Sequence, residues 1–345
     1  MKPTSGTIVA ERLTAQGLAG PPLSDPLAVA ERLLAVQGQD PRGFRLAVRA
    51  RTAGLTAADV ERALGEERTL LVTWLNRGTL HLVRSEDYPW LQALTTPPLL
   101  TSSTRRLRQE GVSEAEAERA VATIEKALTE EGPLTRVELR ERIDAAGVPT
   151  EGQAMIHLLF LAALRGIVVR GPMARKQHAY VLVRDWLGEP KPVDRDRALA
   201  ELARRYLVGH QPASDRDLAK WAGLPLRDAR AGLKAIGSEL DELEGGRVRL
   251  AKPRRRGEVP PPRLLGAFDP VLLGWTSREQ ILGPHTSLVT RNGIFHPFAM
   301  AGGKAVAKWG LPGGKVKLQP LQRLPAKIAA ALEADAADVS RFLTA

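Results

Sequence analysis

SDRDLAKWAGLPLRDARAGLKAIGSELDELEGGRVRL, running from Ser214 to Leu250, holds the order of elements that decides the fold. Ser214 stands three residues before Asp217. Its hydroxyl can take an amide hydrogen at a helix start while the acid complements the helix dipole. Leu218 follows as an apolar contact, and Gly223 can end the helix. A second helix through LRDARAGLKAI comes next, and then LDELEGGRVRL, whose Gly245-Gly246 reads as a turn between two strands. Helices followed by a two-stranded hairpin describe a winged helix, a module that addresses DNA grooves and phosphates.

The same cap occurs twice upstream, as Thr56-Ala-Ala-Asp59 and Thr135-Arg-Val-Glu138, so positions 56, 135 and 214 recur at a constant interval of 79. Val60 and Leu139 stand where Leu218 does, and Gly65 and Gly147 where Gly223 does. After the first cap comes TLLVTWLNRGTLHLV, two β-rich runs around Asn76-Arg77-Gly78. After the second come a helix through MIHLLFLAALRG, a strand from Ile167 to Arg170, a turn-rich stretch and a strand from Tyr180 to Val183. The pattern predicts three tandem winged helices, a repeat of architecture more than of sequence.

Beyond Arg256 the pattern changes. Pro253, Arg254, Arg255, Arg256 and Pro260 to Pro262 read as a linker. Residues 263–319 carry short β-like runs with turns at Asn292-Gly293 and Gly302-Gly303, predicting a small antiparallel sheet, and an Ala-rich helix is expected from Pro325 to Phe342. The expected fold class is α+β. Its expected domains are a first winged-helix unit over 1–100, a second over 101–190, a third over 191–256, and a C-terminal β region with its closing helix over 257–345.

Composition narrows the function. The 345 residues contain no cysteine, which excludes disulfides, thiolate metal sites and cysteine nucleophiles. No apolar run is long enough to span a bilayer and the amino terminus lacks a signal-peptide core, so the expected location is cytoplasmic, without a membrane partner. A net charge of +11 makes a polyanion the expected partner. Arg105, Arg106 and Arg108 form one basic cluster, Arg170, Arg175 and Lys176 a second, and Arg254 to Arg256 a third, an arrangement that suits a discontinuous phosphate-tracking surface. There is no Walker loop, HExxH, GxSxG or clustered histidine set, so neither metal nor cofactor is expected. His81 and His296 lie in strand-like runs that favour structural roles. Asp269-Pro270 reads as a turn.

One segment stands apart: LLAVQGQDPRGFRLAVRAR, residues 33–51. Ser24 and Pro26 can start a helix before it that Gly38 and Pro41 would end, so Gln37 and Gln39 should project from a helix end ahead of another helix beginning near Phe44. Two amides at alternate positions of an extended stretch face one way. Glutamines at a helix end are usually no more than solvated.

VQGQDPRGFRLAVRAR, TWLNRGTLHLV, YLVGHQPASDRDLAKWAGL and LLGAFDPVLLGW, in that order, resemble the AlkZ/YcaQ-like winged-helix DNA glycosylase family, and the resemblance extends from Glu11-Arg12-Leu13 and Gln16-Gly17-Leu18 to Trp309. It implies a catalytic Gln-x-Gln motif at Gln37 and Gln39, the second glutamine placing the chain on the AlkZ side. Gly38 departs from the aliphatic residue usual between them. The resemblance also implies a DNA-engaging hairpin over Arg170 to Tyr180, including Arg175, Lys176, Gln177 and His178. Arg77, Thr79 and His81 are candidate supporting residues, and self-resistance to a DNA-alkylating natural product, including crosslink unhooking, becomes a possible role.

Chemistry points the same way. Glutamine cannot act as a general base near neutral pH, so an enzyme relying on it needs a leaving group that requires little help. N7-alkylguanine and N3-alkyladenine depart as neutral bases from a cationic adduct. What remains is to position water and stabilise an oxocarbenium-like sugar, which carboxamide oxygens can do. The expectation is a monomeric, monofunctional glycosylase hydrolysing the N-glycosidic bond of alkylated purines in double-stranded DNA, without strand cleavage. The alternative is a non-enzymatic winged-helix transcription regulator. RNA binding fits less well, because an aromatic content of 4% leaves few stacking platforms.

Overall fold

The computed structural model describes residues 5–174, 177–189, 192–252 and 259–344. Two compact units divide the chain, one made of Met1–Val60 with Leu199–Ala345 and the other of Glu61–Ala198. The linker residues Pro253 to Arg256, and Arg175 and Lys176 of the expected DNA-engaging hairpin, lie outside the described residues.

The first segment runs through α1 (Ser5–Ala15), α2 (Pro26–Leu33), β1 (Val36–Gln37), α3 (Pro41–Arg49) and α4 (Ala57–Gly65). Asp25 begins α2: its carboxylate accepts the Ala28 amide hydrogen at 2.7 Å while Pro26 fills the first helical position. Ser24 sits one residue outside, donating its hydroxyl to Asp25. The helix expected to continue to Gly38 stops at Leu33, and the residues before Gln37 turn into a short strand.

The middle unit contains β2 (Leu70–Leu75), β3 (Thr79–Arg84), α5 (Tyr88–Thr95), α6 (Pro97–Gln109), α7 (Glu114–Glu131), α8 (Arg136–Ala145), α9 (Ala154–Leu164), β4 (Val168–Ala174), β5 (Gln177–Leu182) and α10 (Val183–Leu187). β2 pairs antiparallel with β3 from Leu70↔Arg84 to Leu75↔Thr79, and with β4 at Val72↔Arg170; β5 lies beyond β4. Leu134, just before α8, bridges Tyr180 of β5. The core is built from α9, whose Leu158, Leu159 and Leu161 are buried, with Ala120 and Ile124 of α7. Hydrophobic burial of this kind contributes about 1.5 to 3 kcal/mol per large side chain.

The remainder begins with α11 (Arg195–His210), β6 (Ala213–Ser214), α12 (Asp215–Ala222), α13 (Leu226–Ala235), β7 (Leu240–Leu243) and β8 (Arg247–Leu250), with strand order β6-β8-β7. Then come β9 (Arg263–Leu265), α14 (Glu279–Leu282), β10 (Phe298–Ala301), β11 (Lys304–Gly310), β12 (Lys317–Pro320) and α15 (Ala326–Thr344). The last four strands form the expected antiparallel sheet in the order β12-β11-β10-β9. Gly302 and Gly303, at φ 57 and 78, make its tight turn, a conformation that strongly favours glycine. Asn292-Gly293 serves a smaller feature, the isolated bridge Val289↔Phe295. α15 buries Leu332, Val339 and Phe342.

Two of the three expected caps form complete boxes, and the third shows its carboxylate half. The Thr56 amide and hydroxyl both donate to Asp59 at 2.8 and 2.9 Å, and Thr135/Glu138 and Ser214/Asp217 make complete capping boxes. Their places differ, however. Thr135 and Ser214 open a helix that another helix follows, whereas Thr56 opens α4, which leads straight into a hairpin. The equal interval of 79 therefore does not join equivalent positions. The chain is a mixed α and β fold with antiparallel sheets.

Candidate active site

Gln37 and Gln39 are fixed by what happens on either side of them. Leu34 adopts φ 63 and ψ −48, and the Ala35 amide donates to the Leu33 carbonyl at 2.8 Å. That geometry is a γ-turn of the rare, strained kind. The Leu34 side chain is completely buried, which holds the turn in place. The chain leaves α2 sharply and enters β1, where Gln37 is 7% exposed. Gln39, two residues on, is exposed. Asp40 then starts α3, its carboxylate accepting the Gly43 amide hydrogen at 2.8 Å with Pro41 next in line. The two amides thus differ in environment, one mostly buried and one facing solvent.

Two glycines allow close backbone approach around this segment. A Cβ on Gly209 of α11 would come within 2.5 Å of the Arg32 carbonyl oxygen, and one on Gly43 within 2.3 Å of the Ala267 carbonyl oxygen. Beneath them lies a buried polar network. Arg51 donates to the two carboxylate oxygens of Asp269 at 2.9 and 3.0 Å, to the Gln16 side chain at 3.0 Å and to the Gln16 carbonyl at 2.8 Å. Gln16 in turn donates to the Gly209 carbonyl at 2.8 Å. Asp269 does make the expected turn, accepting the Val271 amide at 3.0 Å, but its larger role as the partner of Arg51 was not legible in Asp269-Pro270 alone. A cavity of about 670 Å³ in the same unit is lined by Val9, Leu13, Pro260, Gln280 and Lys304, and among the described residues its lining includes neither glutamine.

Arg77, Thr79 and His81 lie on the β2–β3 hairpin of the other unit. Arg77 takes the left-handed conformation at the turn, φ 55. His81 is buried with Nδ1 2.9 Å from the Thr79 carbonyl oxygen. Burial, reinforced by the positive charge of Arg77, pushes its imidazole down to about 3, against a weaker opposing effect of the Thr79 carbonyl. It is therefore neutral at physiological pH, with Nδ1 as the donor, and no general base.

The expected DNA-engaging hairpin is β4–β5. Gln177 is exposed, His178 is half-buried with Nδ1 3.3 Å from the Gly171 carbonyl oxygen, and Met173 is an exposed apolar side chain. Arg170 sits inside the sheet, opposite Tyr180, with its guanidinium 5.8 Å from the Trp74 ring. It also interacts with the Tyr180 hydroxyl, partly offsetting the upward shift that burial imposes on that group. In the cluster on α6, Arg106 pairs with Glu110 at 2.7 Å and Arg108 with Glu114 at 3.2 Å, so acids stand closer to these arginines than the local sequence suggested.

Comparison with known proteins is consistent over the whole chain. The family model for DNA glycosylase AlkZ-like proteins matches residues 30–342. An interstrand DNA cross-link repair glycosylase from Streptomyces sahachiroi is 30% identical over 93% of this chain and 92% of its own length. The solved structure of Streptomyces sahachiroi DNA glycosylase AlkZ superposes with a TM-score of 0.81 at 26% identity, covering 99% of this chain and 97% of that one. The matched residues take in the Gln37–Gln39 segment and the buried Arg51–Asp269 pair, and the chain belongs to the AlkZ-like DNA glycosylase family.

Proposed function

We propose that this DNA glycosylase hydrolyses the N-glycosidic bond of N7-alkylguanine and N3-alkyladenine in double-stranded DNA, with Gln37 and Gln39 as its catalytic residues. The observation that carries the reading is the pair itself: a largely buried amide and an exposed one, two residues apart, held between a strained turn at Leu34 and the Asp40 cap. Buried carboxamide oxygens can stabilise positive charge growing on the sugar, and a fixed amide can orient water. Water adds to C1′ as the C1′–N9 bond breaks, the bond's electron pair neutralises the cationic base, and the water proton passes to solvent. Neither glutamine offers an amine for a covalent intermediate, so the reaction is monofunctional and leaves the strand intact.

The related Streptomyces protein is named for interstrand cross-link repair, which supports extending the substrate to bulky adducts and crosslinks, and with it a role in self-resistance to an alkylating natural product. The order helix–strand–helix–helix–strand–strand supports three tandem winged-helix units, and in this reading the protein acts as a monomer. That order runs through α2-β1-α3-α4-β2-β3 and α11-β6-α12-α13-β7-β8, and through α7, Leu134, α8, α9, β4 and β5 between them. The units then span 1–100, 101–190 and 191–256, with the β region and closing helix over 257–345. Arg170, Arg175, Lys176, Gln177 and His178 contact DNA in this reading. Arg77, Thr79 and His81 support the site, His81 as a neutral hydrogen-bonding group. Family membership disfavours the regulator alternative.

The deciding experiment is base release from a duplex carrying N7-methylguanine. Wild-type protein should liberate the free base, and Gln37→Ala with Gln39→Ala together should abolish release while DNA affinity stays nearly intact. Full activity in the double variant removes the glutamines from the chemistry. No release by the wild type from any alkylated duplex overturns the substrate assignment.

A further inference from the structure

Phe268 has a left-handed backbone, φ 57, a conformation that a bulky side chain adopts only when its surroundings force it. Both neighbours do so. The Ala267 carbonyl packs onto Gly43 so tightly that a Cβ there would approach it to 2.3 Å. Asp269 is held by two buried hydrogen bonds from Arg51 and also accepts the Val271 amide hydrogen. With residues 267 and 269 both buried and fixed, Phe268 itself is left half-exposed. Its ring leans on Phe295 with centroids 5.5 Å apart and planes at 43°, and the Arg278 guanidinium lies 4.9 Å from the Phe295 centroid.

The loop bearing this ring abuts the segment that carries the two glutamines. The same point on Gly43 that meets Ala267 lies 3.2 Å from the Asp40 Cβ, and Gln39 is the residue immediately before Asp40. A strained aromatic side chain has thus been kept partly in solvent on a loop whose neighbouring Ala267 packs on the first turn of α3, the helix that follows Gln37 and Gln39, although a smaller residue would suit the backbone better.

We propose that Phe268 is the stacking platform for the alkylated purine that the enzyme excises. The inference rests on Gln37 and Gln39 being the excision centre. An N7- or N3-alkylated purine is a cationic π-system, and the electron-rich face of a phenyl ring attracts it more than it attracts a neutral purine. Stacking also tolerates a bulky substituent, because it needs no fixed hydrogen-bond pattern on the base edge. Phe268 therefore discriminates damaged from ordinary purines, while the glutamines serve the sugar.

The test compares wild type with Phe268→Ala, Phe268→Leu, Phe268→Trp and Phe268→Gly. Affinity is measured for an unmodified duplex and for one carrying N7-methylguanine, with single-turnover release and thermal unfolding alongside. The aliphatic and glycine variants should lose roughly 5- to 150-fold in preference for the lesion duplex, the range expected for one base stacked on one aromatic ring. Phe268→Trp should keep it, and unmodified-duplex affinity should not move. Phe268→Gly, whose residue suits the left-handed backbone, should unfold at no lower temperature than wild type. Unchanged lesion preference in Phe268→Ala overturns the proposal and leaves the glutamine reading standing. A lower unfolding temperature for Phe268→Gly assigns the ring to the core and overturns it as well. A wild type that releases no alkylpurine removes the excision centre and this proposal together.

Discussion

Arg51 and Asp269, 218 residues apart in the sequence, share two hydrogen bonds of 2.9 and 3.0 Å between side chains that are both fully buried. One follows the end of α3 and the other directly follows Phe268, so a single ion pair ties the helix after the glutamines to the loop that packs on its first turn. Removing two charges from water is costly, and the geometry here compensates by satisfying the guanidinium again through Gln16 and the Ala47 carbonyl.

Breaking that pair on one side should be severe. Asp269→Leu or Arg51→Met should each lower stability by about 3 to 5 kcal/mol, because the remaining partner is left buried and uncompensated. Arg51→Met with Asp269→Leu should lose less than the sum of the two. Denaturant unfolding of the four proteins measures this coupling, and strict additivity would show that the two side chains act independently.

Gly43→Ala tests the seating of the loop on α3. The added methyl would meet the Ala267 backbone oxygen, which is not the end of a flexible side chain and cannot swing away. A loss of about 1 to 3 kcal/mol is expected from the forced shift. Excision should fall further than the residual folded fraction explains, since the loop carries Phe268. Wild-type excision per folded molecule would show that loop placement does not matter.

The single glutamine variants should each slow release by roughly 10- to 1000-fold, the upper end being what loss of one preorganised electrostatic contact costs. Excision should be nearly flat between about pH 6 and 8, because neither amide titrates and His81, pushed down to about 3, stays neutral throughout. A steep rise in single-turnover rate across that window would require a different, titrating base.

Stability should nevertheless depend on acid. His81 and His210 are buried, and burial pushes each imidazole down to about 3 from an ordinary value of 6.5. The folded value lies below the unfolded one, so protons bind the unfolded chain more readily. Each histidine's contribution is complete above about pH 6.5 and is lost as pH falls toward 3, on the order of 4 kcal/mol apiece. His210, stacked on Tyr206 at 4.6 Å, cannot take up a proton without disturbing that core. Unfolding temperatures that hold constant from pH 7 down to 4 would contradict this.

Arg175→Ala with Lys176→Ala should weaken binding to any duplex and reduce the salt slope by about one unit per lost phosphate contact. Arg170→Ala should weaken binding and also lower stability, since Arg170 sits in the sheet beside Trp74 and Tyr180. An unchanged salt slope in the double variant would take those two residues off the DNA.

The caps at Thr56, Thr135 and Ser214, the hairpins at Asn76-Arg77-Gly78 and Gly302-Gly303, and the closing helix were all readable from the chain. Each depends on partners three or four residues away, and residue type alone selects them. The role proposed for Gln37 and Gln39 rests, in the sequence, only on the company they keep in four ordered motifs.

Tertiary structure decided the rest. Nothing local ends α2 at Leu33, because a left-handed leucine is unfavourable and persists only while its side chain is buried. Gln37 and Gln39 look alike in sequence, yet one is largely buried and the other exposed, since burial is set by which segments fold over them. Asp269 reads as a turn residue until Arg51, 218 positions earlier, arrives beside it. His81 reads as an ordinary imidazole until the fold encloses it within reach of the Arg77 charge. Sequence specified the local hydrogen bonds because their partners are neighbours in the chain. Charge states, strain and long-range pairs belong to the packed molecule, where distant segments exclude water from one another.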